Sequence, residues 1–253
     1  MSADDYLLGI LAREQVDNSL SSPVWAAKQT LMPVLSQWGG SCLQQVHPSG
    51  SFAKGTANRS GTDIDLFISL SPTTPDSLKQ IYETLFVAVS RAGYAPRRQN
   101  VSIGLRVNGV DVDLVPGKQQ NIHFLDHSLY RRKADSWTKT NVQTHIAHVL
   151  AGGRQLETRV AKLWRNQLGL DFPSFYLELA VIEALRTNLS LGLSNRVWSV
   201  FQYLAGGFST ARFVDPANTN NVISDDLTVA EKGAIKAAAA RTLQAKTWGE
   251  VVR

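Results

Sequence analysis

Two pairs of carboxylates stand out by spacing. Asp63 and Asp65 alternate with apolar residues in a run where Ile64, Leu66, Ile68 and Leu70 fall on one face of a strand and Asp63, Asp65, Phe67 and Ser69 on the other. Asp111 and Asp113 alternate with Val110, Val112 and Leu114 just after Asn108-Gly109, the strongest two-residue hairpin signal. The hairpin is expected to bring a third carboxylate beside the first two. A single Asp-x-Asp would read as the polar face of an open sheet, but two pairs on separate strands concentrate enough negative charge to require cations. Hard oxygen ligands suit Mg²⁺ or Mn²⁺, and two such ions about 3.5–4 Å apart can activate an attacking hydroxyl and neutralise a transferring phosphoryl or nucleotidyl group. Upstream, Gly50-Ser51 follows a short expected strand, Cys42 to Val46, that ends at His47-Pro48. Backbone N–H groups and a hydroxyl at such a turn can hold phosphate oxygens.

The surrounding periodicities supply the scaffold. Two helices are expected between Ala3 and about Trp38, interrupted at Ser21-Ser22-Pro23 and closed by Gly39-Gly40. Leu78, Ile81, Leu85, Val89 and Ala92 give a helical stripe over residues 75–92, and Val101 to Val107 forms the first arm of the hairpin. Beyond about Asn121 strand signals nearly vanish, and helices are expected at 140–150, 154–168, 173–188, 194–205 and 227–245. The fold class is therefore α+β. Residues 1–125 should form a mixed or antiparallel sheet core with N-terminal helices and 126–253 a helical lobe, the composition shifting near 117–135 and the active site lying in the cleft between the lobes.

Composition bounds the rest. The 253 residues are 43% hydrophobic, enough for a packed core, and 26 Lys+Arg against 21 Asp+Glu give a net charge of +5 that favours polyanionic partners. Cys42 is the sole cysteine, so neither an internal disulfide framework nor a thiolate metal cage can form, and a cytoplasmic setting is expected. The N-terminus carries Asp4 and Asp5 where a signal peptide needs bases, and no apolar run reaches membrane-spanning length.

The stretch Gly50-Ser-Phe-Ala-Lys-Gly-Thr-Ala-Asn-Arg-Ser-Gly-Thr-Asp-Ile-Asp65, with Val112-Asp113-Leu-Val-Pro116, resembles the catalytic signature of polymerase-β-like nucleotidyltransferases. It is most similar to the branch of archaeal-type CCA-adding enzymes, oligoadenylate synthetases and cGAS/DncV-like (CD-NTase) synthases. Looser similarity continues through Trp137–Asn141, Val160–Trp164, Phe172–Glu178 and Asp215–Asn221. The resemblance implies a polymerase-β-like palm followed by an all-helical lobe. It implies that Asp63, Asp65 and Asp113 hold two Mg²⁺ ions, Mn²⁺ being an alternative, and that Asp113 helps activate the acceptor hydroxyl. Gly50 and Ser51 would grip the β/γ phosphates, while Lys162 and Ser174 match triphosphate-contacting positions whose bland reading is a solvated helix face.

The function implied is template-independent transfer from NTPs or dNTPs, giving a cyclic or linear oligonucleotide such as a second messenger in antiphage defence, read by a downstream effector protein. A nucleic-acid primer or activator is a further expected partner. Alternatives are a tailing or CCA-type enzyme, whose backbone contacts Arg131-Arg132-Lys133 could supply, and a small-molecule or protein nucleotidyltransferase. Asp111 reads as a supporting carboxylate or plain hairpin polarity, and Asp215 and Asn221 chiefly as loop-ordering residues. The His123/His127 and His145/His148 spacings lack partners for a zinc site, and Trp137, Trp164, Trp198 and Trp248 read as packing residues.

Overall fold

In the computed structural model, residues 2–61, 63–187 and 191–253 are described. Along the chain run α1 (Ala3–Arg13), α2 (Pro23–Gly39), β1 (Leu43–Pro48), α3 (Gly50–Ala53), β2 (Ile64–Leu70), α4 (Leu78–Arg91), β3 (Arg97–Arg98), β4 (Ile103–Val107) and β5 (Val110–Gln119). There follow β6 (His127–Arg131), β7 (Ser136–Thr140), α5 (Val142–Gly152), α6 (Gln155–Gln167), α7 (Ser174–Ala184), α8 (Leu193–Ala205), β8 (Val214–Asp215), β9 (Asn218–Val222), α9 (Val229–Thr242) and α10 (Trp248–Val251). The expected end, at residue 188, of the helix read over 173–188 lies outside the described residues. Among the described residues, no helix is long and apolar enough to cross a membrane.

Contacts divide the chain into a sheet unit, Asp17–Ala53 with Thr62–Ile146, and a helical unit, Met1–Val16 with Lys54–Gly61 and Ala147–Arg253. This division differs from the expected boundary at 125/126. The apolar stripe of α1, Leu7, Ile10 and Leu11, is buried among Val160, Trp164, Tyr176, Leu177, Val197 and Phe201, so α1 joins the helical core rather than the sheet.

The sheet unit is built on a mixed sheet in the order β1-β2-β5-β4-β3, with β6 pairing the end of β5 and β7 pairing β6. α2 and α4 cover one face, setting Leu31, Leu35, Ile81 and Leu85 against Ile64, Leu66, Ile68, Leu105, Val112 and Leu114, all at most 4% exposed. α4 starts where its sequence says it should, because Ser77 and Gln80 form a reciprocal capping box. The β4–β5 turn is made by Asn108 and Gly109, both with positive φ (51° and 84°), as a two-residue hairpin requires.

Two expectations are corrected here. β6 and β7 lie in a region read as free of strands. Their five residues each carry mixed, short patterns, and β7 gains stability only by pairing across from β6, a long-range effect that local periodicity does not report. β2 is also more buried than an alternating strand should be. Phe67 is 2% and Ser69 7% exposed, because Phe67 packs edge-on against His127 (4.9 Å between ring centroids) and beside His47 (5.5 Å). Trp164 is in the helical core, and Trp198 packs edge-on against Trp248, but Trp137 is 58% exposed on β7 instead of being a packing residue.

Candidate active site

β1, β2 and β5 bring the site together. β1 is antiparallel to β2, and the chain leaves β1 through Ser49, whose N–H donates to the Asp65 carbonyl at 2.8 Å. That bond staples the Gly50-Ser51 turn to the acid-bearing end of β2. Gly50 has φ +57°, a conformation L side chains rarely adopt. It is also pressed so closely on Asp65 that a Cβ there would overlap the carboxylate. Ser51 is the second residue of the four-residue α3.

β2 and β5 run parallel and in register, pairing Asp65 directly with Asp113. β2 thus carries Asp65, Asp63 stands immediately before its first residue, and the adjacent strand carries Asp113. Asp63 is exposed, whereas Asp65 and Asp113 are half-buried. Burial, and then the charge of Asp63, raise the Asp113 pKa above the usual carboxylate value, partly offset by hydrogen bonds from Ser102 and Gln99. The rise is evidence that negative charge crowds this end of the sheet. Among the described residues, no three His, Cys, Asp or Glu side chains are grouped closely enough to hold a metal ion by themselves. The all-oxygen donor set, the Asp65–Asp113 register and the mutual repulsion fit Mg²⁺ or Mn²⁺, which bind through a few carboxylates and complete their shell with water and phosphate.

Asp111 stands apart from this cluster. It is paired with the exposed Arg97, Nη2 to Oδ1 at 3.2 Å, and serves as hairpin polarity. Asp215, 4% exposed, orders its own β8–β9 turn by accepting from the Ala217 N–H and the Asn221 side-chain amide. His127 donates Nδ1–H to the Leu125 carbonyl, so its Nε2 accepts from the Ser69 hydroxyl at 2.8 Å. It is spoken for within the sheet and offers no ligand to a metal.

Within the helical unit, Lys162 is not on a solvated face. It is 4% exposed, its Nζ donating to Glu178 Oε1 at 2.7 Å and Thr56 Oγ1 at 2.9 Å. Lys54 Nζ takes the other carboxylate oxygen at 2.5 Å, and its ammonium lies 4.9 Å from the Phe175 ring centroid. Burial depresses the Lys162 pKa against the pull of Glu178, while the two lysines hold Glu178 below the usual carboxylate range against its own burial. Two ammonium groups thus share one carboxylate in a buried cluster. Ser174 opens α7 and accepts from Arg165 Nη1 at 3.0 Å. Lys54, Thr56 and Glu178 are the members sequence reasoning missed. The first two sit inside the Gly50–Asp65 stretch and Glu178 closes the Phe172–Glu178 block, but only the fold shows that they share one ion cluster. Gln99 and Ser102, on Asp113, were missed because Gln99 precedes the expected hairpin arm and Ser102, read as part of that arm from Val101, instead lies in the turn before the strand begins at Ile103.

Comparisons with known proteins agree with this geometry. Residues 34–135, which include Gly50, Ser51, Asp63, Asp65 and Asp113, match the nucleotidyltransferase domain. A cyclic AMP-AMP-AMP synthase of Escherichia coli (strain MS 115-1) is 28% identical over 161 residues, 58% of this chain and 50% of that protein. The matched stretch thus spans about half the length of that relative. Among solved structures, E. coli MS115-1 CdnC with ATP is similar with a TM-score of 0.77 at 21% identity, covering 95% of this chain and 90% of that one. The Bradyrhizobium diazoefficiens CD-NTase CdnG with GTP is similar with a TM-score of 0.78 at 14% identity, with the same coverage. Residues 34–135 are thus similar to a nucleotidyltransferase domain, and the chain has the α+β fold of the solved CD-NTase structures.

Proposed function

We propose that this nucleotidyltransferase joins nucleoside triphosphates, or deoxynucleoside triphosphates, without a template into a cyclic or linear oligonucleotide. The observation that carries this reading is the register pairing of Asp65 with Asp113 beside the Gly50-Ser51 turn, in a domain similar to that of a cyclic AMP-AMP-AMP synthase.

Asp63, Asp65 and Asp113 would hold two Mg²⁺ ions, or Mn²⁺, which neutralise the transferring nucleotidyl group and sharpen the attacking hydroxyl. The chain's own groups do the rest. The acceptor hydroxyl attacks the α-phosphorus of a bound triphosphate, the α–β phosphoanhydride bond breaks, and pyrophosphate leaves. Asp113, made more basic by burial and by Asp63, takes the hydroxyl proton at Oδ2, because Oδ1 is engaged by Gln99 at 2.8 Å. The Ser51 hydroxyl and the backbone of its turn hold phosphate oxygens, and the Lys54–Glu178–Lys162 cluster and Ser174 supply favourable polarity for the triphosphate.

On this reading the protein is a cytoplasmic second-messenger synthase of antiphage defence, whose product acts on a downstream effector protein. The tailing alternative rests on the exposed run Arg131-Arg132-Lys133, of which Arg132 also donates Nε–H to the Gln99 carbonyl at 3.1 Å. The test is incubation with labelled ATP, GTP, CTP, UTP and the four dNTPs with Mg²⁺ or Mn²⁺, with and without an oligonucleotide primer or activator. Small products without primer support the reading, primer laddering favours tailing, and no pyrophosphate release under any combination defeats both.

A further inference from the structure

The third carboxylate, Asp113, is held by a turn that is itself clamped on both sides. The turn between β3 and β4, Gln99 to Ser102, is closed by the Gln99 N–H to the Ser102 carbonyl at 3.0 Å. From α4 the fully buried Tyr82 shares its hydroxyl proton between the carbonyls of Gln99 (2.9 Å) and Ser102 (3.0 Å). Arg132 Nε donates to the Gln99 carbonyl, and the Arg132 N–H to that of Asn100 at 2.8 Å. The turn is thus fixed from two sides before any of its side chains is considered.

Its side chains then face Asp113. The Ser102 hydroxyl donates to Gln99 Oε1 at 2.6 Å, which sets the amide so that Nε2 donates to Asp113 Oδ1 at 2.8 Å. A hydroxyl has one proton, so the longer Ser102 contact to Asp113 Oδ2, 3.4 Å, is at most a shared bond, and Oδ2 keeps its lone pairs. Gly104 supplies an independent observation. It lies directly across from Asp113 on β4, and a Cβ there would come within 2.7 Å of Gln99 Nε2 and 3.1 Å of Asp113 Oδ1. Its φ is not positive, so a glycine is needed there for room, and the occupant of that room is the Gln99 amide.

We propose that Gln99 is a positioning residue for the reaction: clamped by Ser102, Tyr82 and Arg132 and admitted by Gly104, it pins Asp113 Oδ1 so that Oδ2 presents a fixed, fully charged oxygen to cation and acceptor. The residue type is the argument. A lysine or arginine would neutralise the charge that the cations need, whereas a primary amide orients a carboxylate and leaves its charge intact. The inference rests on the nucleotidyltransferase reading and adds a residue to it.

The test compares the full-length wild type with Gln99→Ala, Gln99→Met, Gln99→Glu, Gly104→Ala and the Gln99→Ala/Gly104→Ala double variant. Pyrophosphate release gives kcat and KM, Mn²⁺ binding followed by electron paramagnetic resonance gives a readout independent of turnover, and melting temperature reports folding. Gln99→Ala and the near-isosteric Gln99→Met should each lose about 10–100-fold in kcat or Mn²⁺ affinity, as loss of an outer partner of a metal ligand does, with KM for the triphosphate within about twofold. Gln99→Glu, which sets a like charge on Asp113, should lose more turnover than Gln99→Ala. Gly104→Ala should reproduce the Gln99→Ala defect and add little to it in the double variant, because the two act through one contact. Wild-type kcat and Mn²⁺ affinity in both Gln99→Ala and Gln99→Met overturn the positioning role while the wild type's activity upholds the nucleotidyltransferase reading. A loss accounted for wholly by lower melting temperature, or additive Gly104 and Gln99 effects, also overturns it. A wild type that neither binds Mn²⁺ nor releases pyrophosphate defeats the underlying reading instead.

Discussion

Gly50 and Asp65 are in such close contact that the glycine's missing Cβ is what leaves space for the carboxylate. Two constraints coincide at one position, a φ of +57° and zero side-chain volume. Gly50→Ala should therefore cost about 1–2 kcal/mol for the left-handed backbone alone, and displace Asp65 as well. A misplacement near 1 Å reduces turnover by about 10²-fold. Pyrophosphate release and thermal unfolding on the same preparation check both halves. An active, fully stable Gly50→Ala protein would show that the turn relaxes and that its tightness has no bearing on Asp65.

Asp63→Asn and Asp65→Asn should reduce nucleotide transfer to background while the fold holds. Asp63 raises the pKa of Asp113, so removing its charge relieves repulsion in the free protein. The melting temperature should stay level or rise by about 2–4 °C, the shift that 1 kcal/mol brings in a chain of this size. Substantial activity in both variants would defeat the assignment of these acids to a metal.

Among the described residues, Glu178 is the one carboxylate paired with the two buried ammonium groups of Lys54 and Lys162. Glu178→Gln should destabilise the protein by about 3–5 kcal/mol, since removing one partner strands the others without compensation. A Lys54→Met/Lys162→Met/Glu178→Leu variant should recover much of that loss yet remain deficient in triphosphate use. Denaturant unfolding separates the two effects. Full activity in the triple variant would strip the cluster of any part in triphosphate binding.

His47 and His127 flank Phe67, and burial pushes both pKa values below 6.5; the charges of His127 and Lys28 add to the shift on His47, while the Leu125 carbonyl and Asp126 oppose it on His127. Below about pH 6.5 the unfolded chain protonates these rings while the folded chain does not. The unfolded state then binds more protons, so stability rises with pH through the window between the depressed folded values and 6.5, and falls as pH drops through it. Unfolding free energy measured at pH 7.5 and 5.5 should show this loss, and His47→Phe/His127→Gln should flatten it. An equal slope in wild type and double variant would place the acid sensitivity elsewhere.

The acids were legible because the alternation from Asp63 to Leu70 and the Asn108-Gly109 turn are local signals, and their facing can be deduced from strand pleat alone. Their closest relationship was not. Asp65 meets Asp113 through a parallel pairing of β2 with β5, and nothing within either segment specifies that partner. Lys162 shows the same limit from another side. A helix wheel places it, but its burial depends on Glu178 sixteen residues later and Thr56 over a hundred residues earlier. Gln99 and Ser102 lie in a turn with no periodicity, and their role follows only from where Tyr82, Arg132 and Gly104 hold them.

The alternation of the chain between its two units, with changes after Val16, Ala53, Gly61 and Ile146, bears on ancestry and engineering. Gly50-Ser51 and Asp63 belong to one unit, while Lys54, Thr56 and Asn58, between them in sequence, belong to the other. A lobe of this protein cannot be exchanged for a homologous one by a single genetic crossover, nor expressed as an uninterrupted gene fragment. Hybrids made from it would need at least four junctions, two of them inside the sixteen residues that carry the signature. New specificities are more readily reached by substituting residues in place than by shuffling modules.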